Sequence, residues 1–271
     1  MSEVLDFARY TAREAGSLLR RYAHQRHDVR HKSTDIDLVT EADVASERLI
    51  VAAIRERFPG HTILAEEGEG DTQKLIAGAE TLWLVDPLDG TVNYAHGFPM
   101  WAVSLALAQR GQVVVAVTYS PLHDEMFWAE RGQGAWLNGA RVRTSSAGRL
   151  RDALLATGFA YRRATLKDNN LAEFNAMMPR VQGLRRAGAA VLDMALLACG
   201  RLDAYWEMHL QPWDWAAGWL LVKEAGGVVT DLHGEPWSLD KDNIAASNGP
   251  ALHQRLLAGL RGEQAPEEGA S

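Results

Sequence analysis

The chain has 271 residues, 47% of them hydrophobic and 23% charged, a globular composition that excludes collagen-like, low-complexity and disordered proteins. A chain of this length buries roughly three quarters of the surface that it exposes when unfolded, so it needs no disulfide or structural metal to fold. Cys199 is the single cysteine, which excludes an intramolecular disulfide and suits a reducing compartment. We therefore expect one large domain or two closely packed halves.

The charge balance is acidic, with 28 Lys and Arg residues against 35 Asp and Glu residues and a net charge of −7. A nucleic-acid-binding protein usually has a basic surplus instead. No apolar run approaches the ~18 residues of a membrane span, and charged residues at Glu3, Asp6 and Arg9 come too early for a signal peptide. We expect a soluble, cytoplasmic protein with no nucleic-acid or membrane partner.

Hydrophobic periodicity predicts helices first and a run of strands after them. An amphipathic helix is predicted over 3–23, and a second runs from 41 to 58, where Pro59-Gly60 ends it. Arg110-Gly111 is typical of a hairpin, and Asn138-Gly139 of a tight turn. The predicted strands are 62–65, 81–85, 101–109, 112–120, 125–130 and 135–137.

The polar stretch 143–151 is the favoured boundary between two halves, 1–145 and 146–265, and 266–271 belongs to a frayed tail. Helices and strands mix without strict alternation, which predicts a layered α/β or α+β sandwich. The predicted elements of the second half are strand 153–157, helix 167–178, a buried helix 188–200, strand 204–207, helix 214–225 and strand 228–231.

The segment from Leu82 to Thr91 carries the most chemical information. Asp86 follows an apolar strand, and Asp89 lies three residues further on. Two such carboxylates repel each other unless a cation lies between them, and oxygen-only ligands favour Mg²⁺ or Mn²⁺ over zinc. Gly90 lets the backbone approach a ligand, so its N–H and that of Thr91 can donate to an anion. The alternative is an Asp-rich turn, and spacing alone does not decide between them.

A second acidic pair, Glu66-Glu67, follows the strand that ends at Ala65. Neighbours on an extended chain point to opposite sides, so one of the two can face a shared site. We choose Glu66, because it directly ends the apolar run. Glu67, Glu69 and Asp71 are interpreted as a solvated charge run.

Two further aspartates each have a structural and a functional interpretation. Asp214 is a preferred N-cap for the helix that follows it, although a capping carboxylate can still aim one oxygen at a metal. Asp43 forms a capping box in outline with Thr40. If it also bonds to a hydroxyl, it can polarise a water molecule.

Other catalytic signatures are missing from the sequence. It has no His-x-x-x-His pair, no Gly-x-Ser-x-Gly elbow and no Walker motif. Arg162-Arg163 and Arg185-Arg186 can meet phosphate, but solvated loops are the favoured interpretation.

The acidic segments, taken in order, resemble the inositol monophosphatase family, within the group of lithium-sensitive, magnesium-dependent sugar-phosphate phosphatases. Their order and spacing agree across most of the chain. Ala65 and Val92 stand where many members have Gly and Thr. The resemblance implies a layered αβαβα sandwich. The matching segments are 37–43 (DLVTEAD), Glu66-Glu67, 86–91 (DPLDGT) with Asn93, 185–193 (RRAGAAVLD), 199–207 (CGRLDAYWE), and Trp213-Asp214 before Ala217-Gly218.

The resemblance also implies a site for two to three Mg²⁺ ions, with Mn²⁺ as a possible substitute. Glu66, Asp86 and the backbone carbonyl of Leu88 would hold one ion. Asp86, Asp89 and Asp214 would hold a second, and a weaker third would lie near Glu66. Glu66 is also expected to take part in catalysis, and Asp214 in substrate binding. Most of these ligands fall in the N-terminal half, whereas Asp214 and the substrate contacts fall in the C-terminal half.

The remaining implied roles concern the substrate. Gly90 and Thr91 would offer backbone N–H groups to the phosphate, and Thr91, paired with Asp43, would orient the attacking water. Glu207 would accept hydrogen bonds from substrate hydroxyls, with Ala190 beside it. Glu207 favours a neutral polyol or sugar, because a carboxylate suits hydroxyls and disfavours extra phosphates.

The implied function is hydrolysis of inositol monophosphate, or of a related polyol or sugar phosphate, by direct attack of a metal-activated water. Inhibition by Li⁺ and assembly as a homodimer are implied as well. The alternatives within the same group are a fructose-1,6-bisphosphatase, a histidinol-phosphatase and a nucleotide 3′-phosphatase. An alternative from a different class is a non-catalytic regulatory or binding protein that uses the same pocket.

Overall fold

The computed structural model describes residues 2–23, 29–31, 38–68 and 71–263, with the backbone alone for 29–31, 38 and 39. The predictions on Asp37, Glu69 and the tail 266–271 lie outside the described residues. The helices are α1 (Glu3–Tyr22), α2 (Glu41–Arg57), α3 (Thr72–Gly78), α4 (Thr91–Ala95), α5 (Leu171–Met177), α6 (Ala190–Ala198), α7 (Pro212–Glu224) and α8 (Pro250–Leu260).

The strands within the described residues form three sheets. A seven-stranded sheet has the order β3-β4-β5-β6-β7-β8-β9, a five-stranded sheet has the order β11-β10-β12-β14-β13, and β1 pairs with β2. The strands are β1 (Val29–His31), β2 (Leu38–Thr40), β3 (Thr62–Ala65), β4 (Thr81–Asp89), β5 (Ala102–Gln109), β6 (Gln112–Ser120), β7 (Glu125–Glu130), β8 (Ala135–Leu137), β9 (Ala140–Val142), β10 (Leu154–Thr157), β11 (Gly183–Arg185), β12 (Ala204–Met208), β13 (Val228–Thr230) and β14 (Asn243–Ser247).

These elements stack in five layers, which confirms the αβαβα sandwich. Helices α1 and α2 cover one face of the large sheet, and α6 and α7 lie between the two sheets. Helices α5 and α8 cover the outer face of the small sheet. Strand β4 shows why the sequence folds in this way: Trp83 and Val85 face α1 and α2, whereas Leu82 and Leu84 face the middle layer. A strand segment buried on both faces is apolar throughout, as residues 82–85 of β4 are.

The polar stretch 143–151 connects the last strand of the large sheet to the first strand of the small one. One apolar core nevertheless extends from Leu64 to Leu260 and includes residues from both sides of that stretch. The division into 1–145 and 146–265 therefore stays a prediction. Among the described residues, no helix is both long and apolar enough to span a membrane.

The prediction that the strand ends before Asp86 is wrong, because β4 continues to Asp89. Its partner strand advances two residues from Ser104 to Ala102 while β4 advances three. This bulge accommodates Pro87, which has no N–H to donate to a regular ladder. The hydroxyl of Ser46 on α2 donates to the Pro87 carbonyl at 2.8 Å and so anchors the bulge.

Two predicted helices are too long. The helix expected over 167–178 is α5, which begins only at Leu171 because Asn170 adopts a left-handed conformation with φ of 68°. The helix expected over 188–200 is α6, since Gly188 and Gly200 both have positive φ. The elements without a predicted counterpart are α3, α4, α8, β1, β2, β9, β11 and β14.

Candidate active site

Glu66 and Asp86 leave the large sheet side by side. Strands β3 and β4 are parallel, with Ala65 opposite Val85, so the next residue of each strand is an acidic one. The Glu66 N–H donates to the Val85 carbonyl at 3.2 Å and holds the two chains in this register. The N–H of Glu67 instead donates to the Glu47 carboxylate at 2.7 Å. Of the predicted pair, Glu66 lines the main cavity.

The bulge of β4 and the turn after it place the next two acidic groups. The Asp86 carboxylate accepts from the Leu88 N–H at 3.1 Å. The Asp89 carboxylate accepts from the N–H of Val191, in the first turn of α6, at 2.9 Å. Asp89 therefore joins the large sheet to the middle helical layer.

Gly90 follows in a left-handed conformation with φ of 87°. A Cβ at this position would lie 2.7 Å from the Met100 carbonyl oxygen, so the turn requires glycine for both conformation and space.

Asp214 reaches the same cavity from α7. The N-cap residue of α7 is Gln211, and Asp214 is the third helical residue, so the interpretation of Asp214 as the N-cap is wrong. Its carboxylate accepts from the Gln211 N–H at 2.7 Å, which completes a capping box. Asp214 still lines the cavity.

Asp43 lies behind the cavity wall, where it is fully buried. Its Oδ2 accepts from the backbone N–H of Thr40 at 2.8 Å and from the Thr40 hydroxyl at 2.5 Å. Its Oδ1 accepts from the Thr91 hydroxyl at 2.8 Å. Asp43 is thus both a member of the α2 capping box and a partner of the Thr91 hydroxyl, whereas its action on a water molecule stays a prediction. The Thr91 hydroxyl has one proton, which it uses in the hydrogen bond to Asp43. The Thr91 oxygen can therefore accept a hydrogen bond from a water molecule.

Glu207 lies on β12 at the other side of the cavity. Burial raises its pKa to about 7, while hydrogen bonding from the Tyr205 hydroxyl and the charge of Arg186 act to lower it. Asp193 on α6 is also buried, and burial and the Glu207 charge raise its pKa. Ala190, the first residue of α6, lines the cavity near them.

The acidic side chains described above, except Asp43, border one cavity of about 320 Å³ together with Thr91. These acidic residues are Glu66, Asp86, Asp89, Asp193, Glu207 and Asp214. The structure brings together the predicted metal ligands and the predicted substrate residues from both sides of the polar stretch. The predicted site residues that line this cavity are Glu66, Asp86, Leu88, Asp89, Gly90, Thr91, Ala190, Glu207 and Asp214.

Ionisation of the carboxylates in this cavity is energetically unfavourable in the absence of a cation. Burial raises the pKa of Asp86 well above its usual range, and the charges of Glu66, Asp89 and Asp214 raise it further. Burial and the Asp214 charge likewise raise the pKa of Asp89, against the Val191 N–H, which lowers it. A divalent cation would remove this repulsion.

The donor set fits a hard cation, since it contains only carboxylates and a backbone carbonyl. Within the part of the chain that the structure describes, no three His, Cys, Asp or Glu side chains already converge on one metal position. The carboxylates border the cavity without converging on one point, and each bound ion would complete its shell with water and substrate oxygens. Mg²⁺ binds in that manner.

Several residues that line the cavity had no role predicted from the sequence. Arg162 and Arg186 line it, although loops in solvent were the favoured interpretation for both arginine pairs. Arg163 donates to the Ala160 carbonyl, and neither Arg163 nor Arg185 lines the cavity, so one arginine of each pair borders it. The pairs were visible in the sequence, but which member faces inward was not. The other missed residues of the cavity include Gly158, Phe159, Tyr161, Leu166, Asp193, His209 and Trp213.

The structural class of the chain is a five-layered α/β fold with an acidic cavity. The chain belongs to the inositol monophosphatase family, whose sequence model matches residues 1–265. It is 45% identical to the Nus factor SuhB of Pseudomonas aeruginosa over 251 residues, 92% of each chain. It is 42% identical to the inositol-1-monophosphatase of Synechocystis over 236 residues, 86% of this chain and 79% of that one. The crystal structure of the extragenic suppressor protein SuhB from Bartonella henselae matches with a TM-score of 0.88 and 39% identity, over 96% of this chain and 99% of that one.

Proposed function

We propose that this chain is a magnesium-dependent phosphomonoesterase that hydrolyses inositol monophosphate or a related polyol or sugar phosphate. The observation that carries the proposal is the convergence of Glu66, Asp86, Asp89 and Asp214 on one cavity, with the Thr91–Asp43 pair at its wall. Membership of the inositol monophosphatase family supports it.

The metal ligands would be Glu66, Asp86 and the Leu88 carbonyl for one ion, and Asp86, Asp89 and Asp214 for a second. When bound, Mg²⁺ offsets the charge of the carboxylates, stabilises the attacking and leaving oxygens and lowers the pKa of its water. A weaker third ion near Glu66, replacement by Mn²⁺ and inhibition by Li⁺ belong to the same proposal.

The chain's own contribution to water attack is orientation. The Thr91 hydroxyl donates a hydrogen bond to the Asp43 carboxylate and accepts one from the attacking water, which orients that water towards the phosphate. The backbone N–H groups of Gly90 and Thr91 donate to the phosphate. No covalent phosphoenzyme is required.

At the other end of the substrate, Glu207 accepts hydrogen bonds from hydroxyl groups, next to Ala190. Arg162 and Arg186 also line the cavity, and a second anionic group on the substrate would pair with them. This observation favours a fructose-1,6-bisphosphatase as the second candidate. Histidinol phosphate and nucleotide 3′-phosphates are the other substrates to compare.

Some relatives are named as Nus factors, which keeps a non-catalytic regulatory role as the alternative from a different class. The cavity retains every predicted ligand, so we propose that such a role would accompany catalysis rather than replace it. That the chain has no nucleic-acid partner stays a prediction, supported by the net charge of −7. A cytoplasmic homodimer and the division into 1–145 and 146–265 are likewise proposals. The exposed Phe98 offers apolar surface for an interface between subunits.

The experiment that tests the function is a phosphate-release screen with Mg²⁺ over inositol 1-phosphate, fructose 1,6-bisphosphate, histidinol phosphate and adenosine 3′,5′-bisphosphate. Asp86→Asn serves as the matched control, because it keeps the shape of the side chain and removes its charge. We expect the highest kcat/KM for inositol 1-phosphate, with no turnover in the variant or after addition of EDTA. Release that is equal in both proteins, or absent for all four substrates, would contradict the proposal.

A further inference from the structure

The Glu207 carboxylate packs directly on Gly158, the residue that follows β10. A Cβ built on Gly158 would overlap both carboxylate oxygens of Glu207. The φ of Gly158 does not fall in the left-handed region, so glycine is needed here for space and not for conformation. Any larger residue would have to displace the carboxylate.

A buried amide fixes the backbone on which Glu207 rests. The Nδ2 of Asn170 donates to the Gly158 carbonyl at 2.6 Å and to the Thr157 hydroxyl at 2.8 Å, while its Oδ1 accepts from the Trp206 indole at 2.6 Å. Asn170 is 2% exposed. All three partners lie beside Glu207. Trp206 precedes it on β12, Thr157 is the register partner of Trp206, and Gly158 contacts the Glu207 carboxylate.

The two strands are also joined without Asn170. Thr157 on β10 and Trp206 on β12 are register partners, and the Thr157 hydroxyl donates to the Trp206 carbonyl at 2.6 Å. Glu207 is the next residue of β12, and its carboxylate accepts from the Tyr205 hydroxyl. The carboxylate is therefore confined between the Tyr205 hydroxyl and the Gly158 backbone, at the edge of the cavity.

We propose that Gly158 and Asn170 are positioning residues, which hold the Glu207 carboxylate where it accepts hydrogen bonds from the hydroxyls of the substrate. This inference rests on the proposed function, because Glu207 is the group that recognises the polyol. It adds that selectivity for a polyol depends on two residues that need not touch the polyol themselves. A displaced carboxylate would weaken binding of a polyol phosphate more than binding of an aryl phosphate, which has no hydroxyls to recognise.

A double-mutant cycle tests the contact between Gly158 and Glu207. The variants are Gly158→Ala, Glu207→Ala and the double variant, assayed with inositol 1-phosphate and with p-nitrophenyl phosphate. We expect Gly158→Ala to raise KM for inositol 1-phosphate by about tenfold, the size of a lost hydrogen bond to a charged group, with a smaller change for the aryl phosphate. In the Glu207→Ala background the same substitution should add no further change.

Melting temperatures of the four proteins provide a readout that needs no activity. Gly158→Ala should lower the melting temperature in the presence of Glu207 and not in its absence. Gly60→Ala is the matched control, because a Cβ at Gly60 meets no described atom within 4 Å. An equal loss in both backgrounds, or a double variant that fails to fold, would overturn the proposal, since the collision would then not be with Glu207.

Asn170→Asp tests the second residue. The carboxylate keeps the shape of the amide but faces the Gly158 carbonyl, so we expect the same selective rise in KM for inositol 1-phosphate. Asn169→Asp is the control, because the Asn169 amide donates to Arg163 and not to β10 or β12. Equal effects of the two variants, or equal losses on both substrates, would overturn the role of Asn170.

The same data separate this inference from the proposed function. If the wild-type protein released no phosphate from any of the four screened substrates, the proposed function would be contradicted, and the link to substrate selectivity with it. The melting-temperature cycle would still decide whether Gly158 positions Glu207.

Discussion

The Thr91 hydroxyl donates to the Asp43 carboxylate at 2.8 Å, across 48 residues of sequence and at the wall of the acidic cavity. Asp43 is fully buried, and the Thr40 backbone and hydroxyl fix its second oxygen. The orientation of Thr91 is therefore set from behind the site. This relationship turns a helix cap of α2 into a support for the proposed water-orienting group.

Thr91→Val should reduce kcat by about 100-fold or more, because the side chain keeps its shape but can no longer orient the attacking water. Asp43→Asn should give a similar loss, and the double variant should lose little beyond either one, since the two residues act as a unit. Steady-state kinetics with Mg²⁺ measure all three proteins. Thr118→Val is the control: Thr118 is buried, and no hydrogen-bond partner of its hydroxyl lies among the described atoms. A kcat of Thr91→Val that matches the kcat of the control would refute this role for Thr91.

Glu66→Gln should abolish turnover at millimolar Mg²⁺, because the variant loses a charged ligand that lies beside Asp86. Glu67→Gln is its matched control one residue away and should keep normal kinetics, since Glu67 does not line the cavity. A titration of kcat against Mg²⁺ concentration compares the two variants. Equal losses in both would mean that the pair acts by its overall charge and not by the alternation of side chains along the chain.

Gly90→Ala should lower the free energy of unfolding by about 1–3 kcal/mol for the left-handed backbone alone, and by more for the collision with the Met100 carbonyl. Gly97→Ala separates the two contributions, because Gly97 has φ of +69° and a Cβ there meets nothing within 4 Å. Urea unfolding measures both variants. The account requires the greater loss in Gly90→Ala, together with a loss of phosphatase activity that Gly97→Ala does not share.

The buried Glu207 should make the stability of the metal-free protein depend on pH. Its pKa in the folded protein is about 7, above the ordinary value of 4.5, so the folded state keeps a proton that the unfolded chain releases. The stability from this group is complete below about pH 4.5 and is lost as the pH rises through about 7. Glu207→Gln remains neutral and should lack this loss.

We expect the stability of the wild-type protein to fall by about 3 kcal/mol relative to Glu207→Gln between pH 4.5 and pH 8. Urea unfolding of both proteins in EDTA measures the difference, and the carboxylates that the two proteins share cancel in the comparison. If the free energies of unfolding of the two proteins changed with pH in parallel, the pKa of Glu207 would be the same in the folded and unfolded states, and the prediction would be wrong.

Periodicity and motif order predicted much of this molecule. The long helices, the hairpin at Arg110-Gly111 and the layered sandwich needed no structure, because their signals extend over many residues or use distinctive turn chemistry. The choice of Glu66 over Glu67 followed from the alternation of side chains together with the position of Glu66 at the end of the apolar run. The strands β9 and β11 have three residues each, which is too short to show a hydrophobic period. Strand β4 was predicted to end too early, because Pro87 is typical of a strand end and here lies in a bulge.

The site shows the same limit. Spacing indicated that Asp86 and Asp89 could share a cation, and the family resemblance implied Glu66 and Asp214 as further ligands, but the cavity also depends on contacts between distant parts of the chain. Nothing near Gly158 in the sequence indicates that Glu207 will pack on it, and Asn170 falls inside the helix predicted over 167–178, so its contacts with β10 and β12 were not expected. Arg162 and Arg186 were visible as members of basic pairs, yet their direction is set by the loops that surround them.

The central claim is that carboxylates from distant parts of the chain hold divalent cations in one cavity. Its most direct test is anomalous diffraction from crystals soaked in Mn²⁺, compared between the wild-type protein and Asp86→Asn. We predict strong anomalous peaks bordered by Glu66, Asp86 and Asp214 in the wild-type protein, and their loss in the variant. Wild-type crystals without a peak in this cavity at millimolar Mn²⁺ would contradict the account.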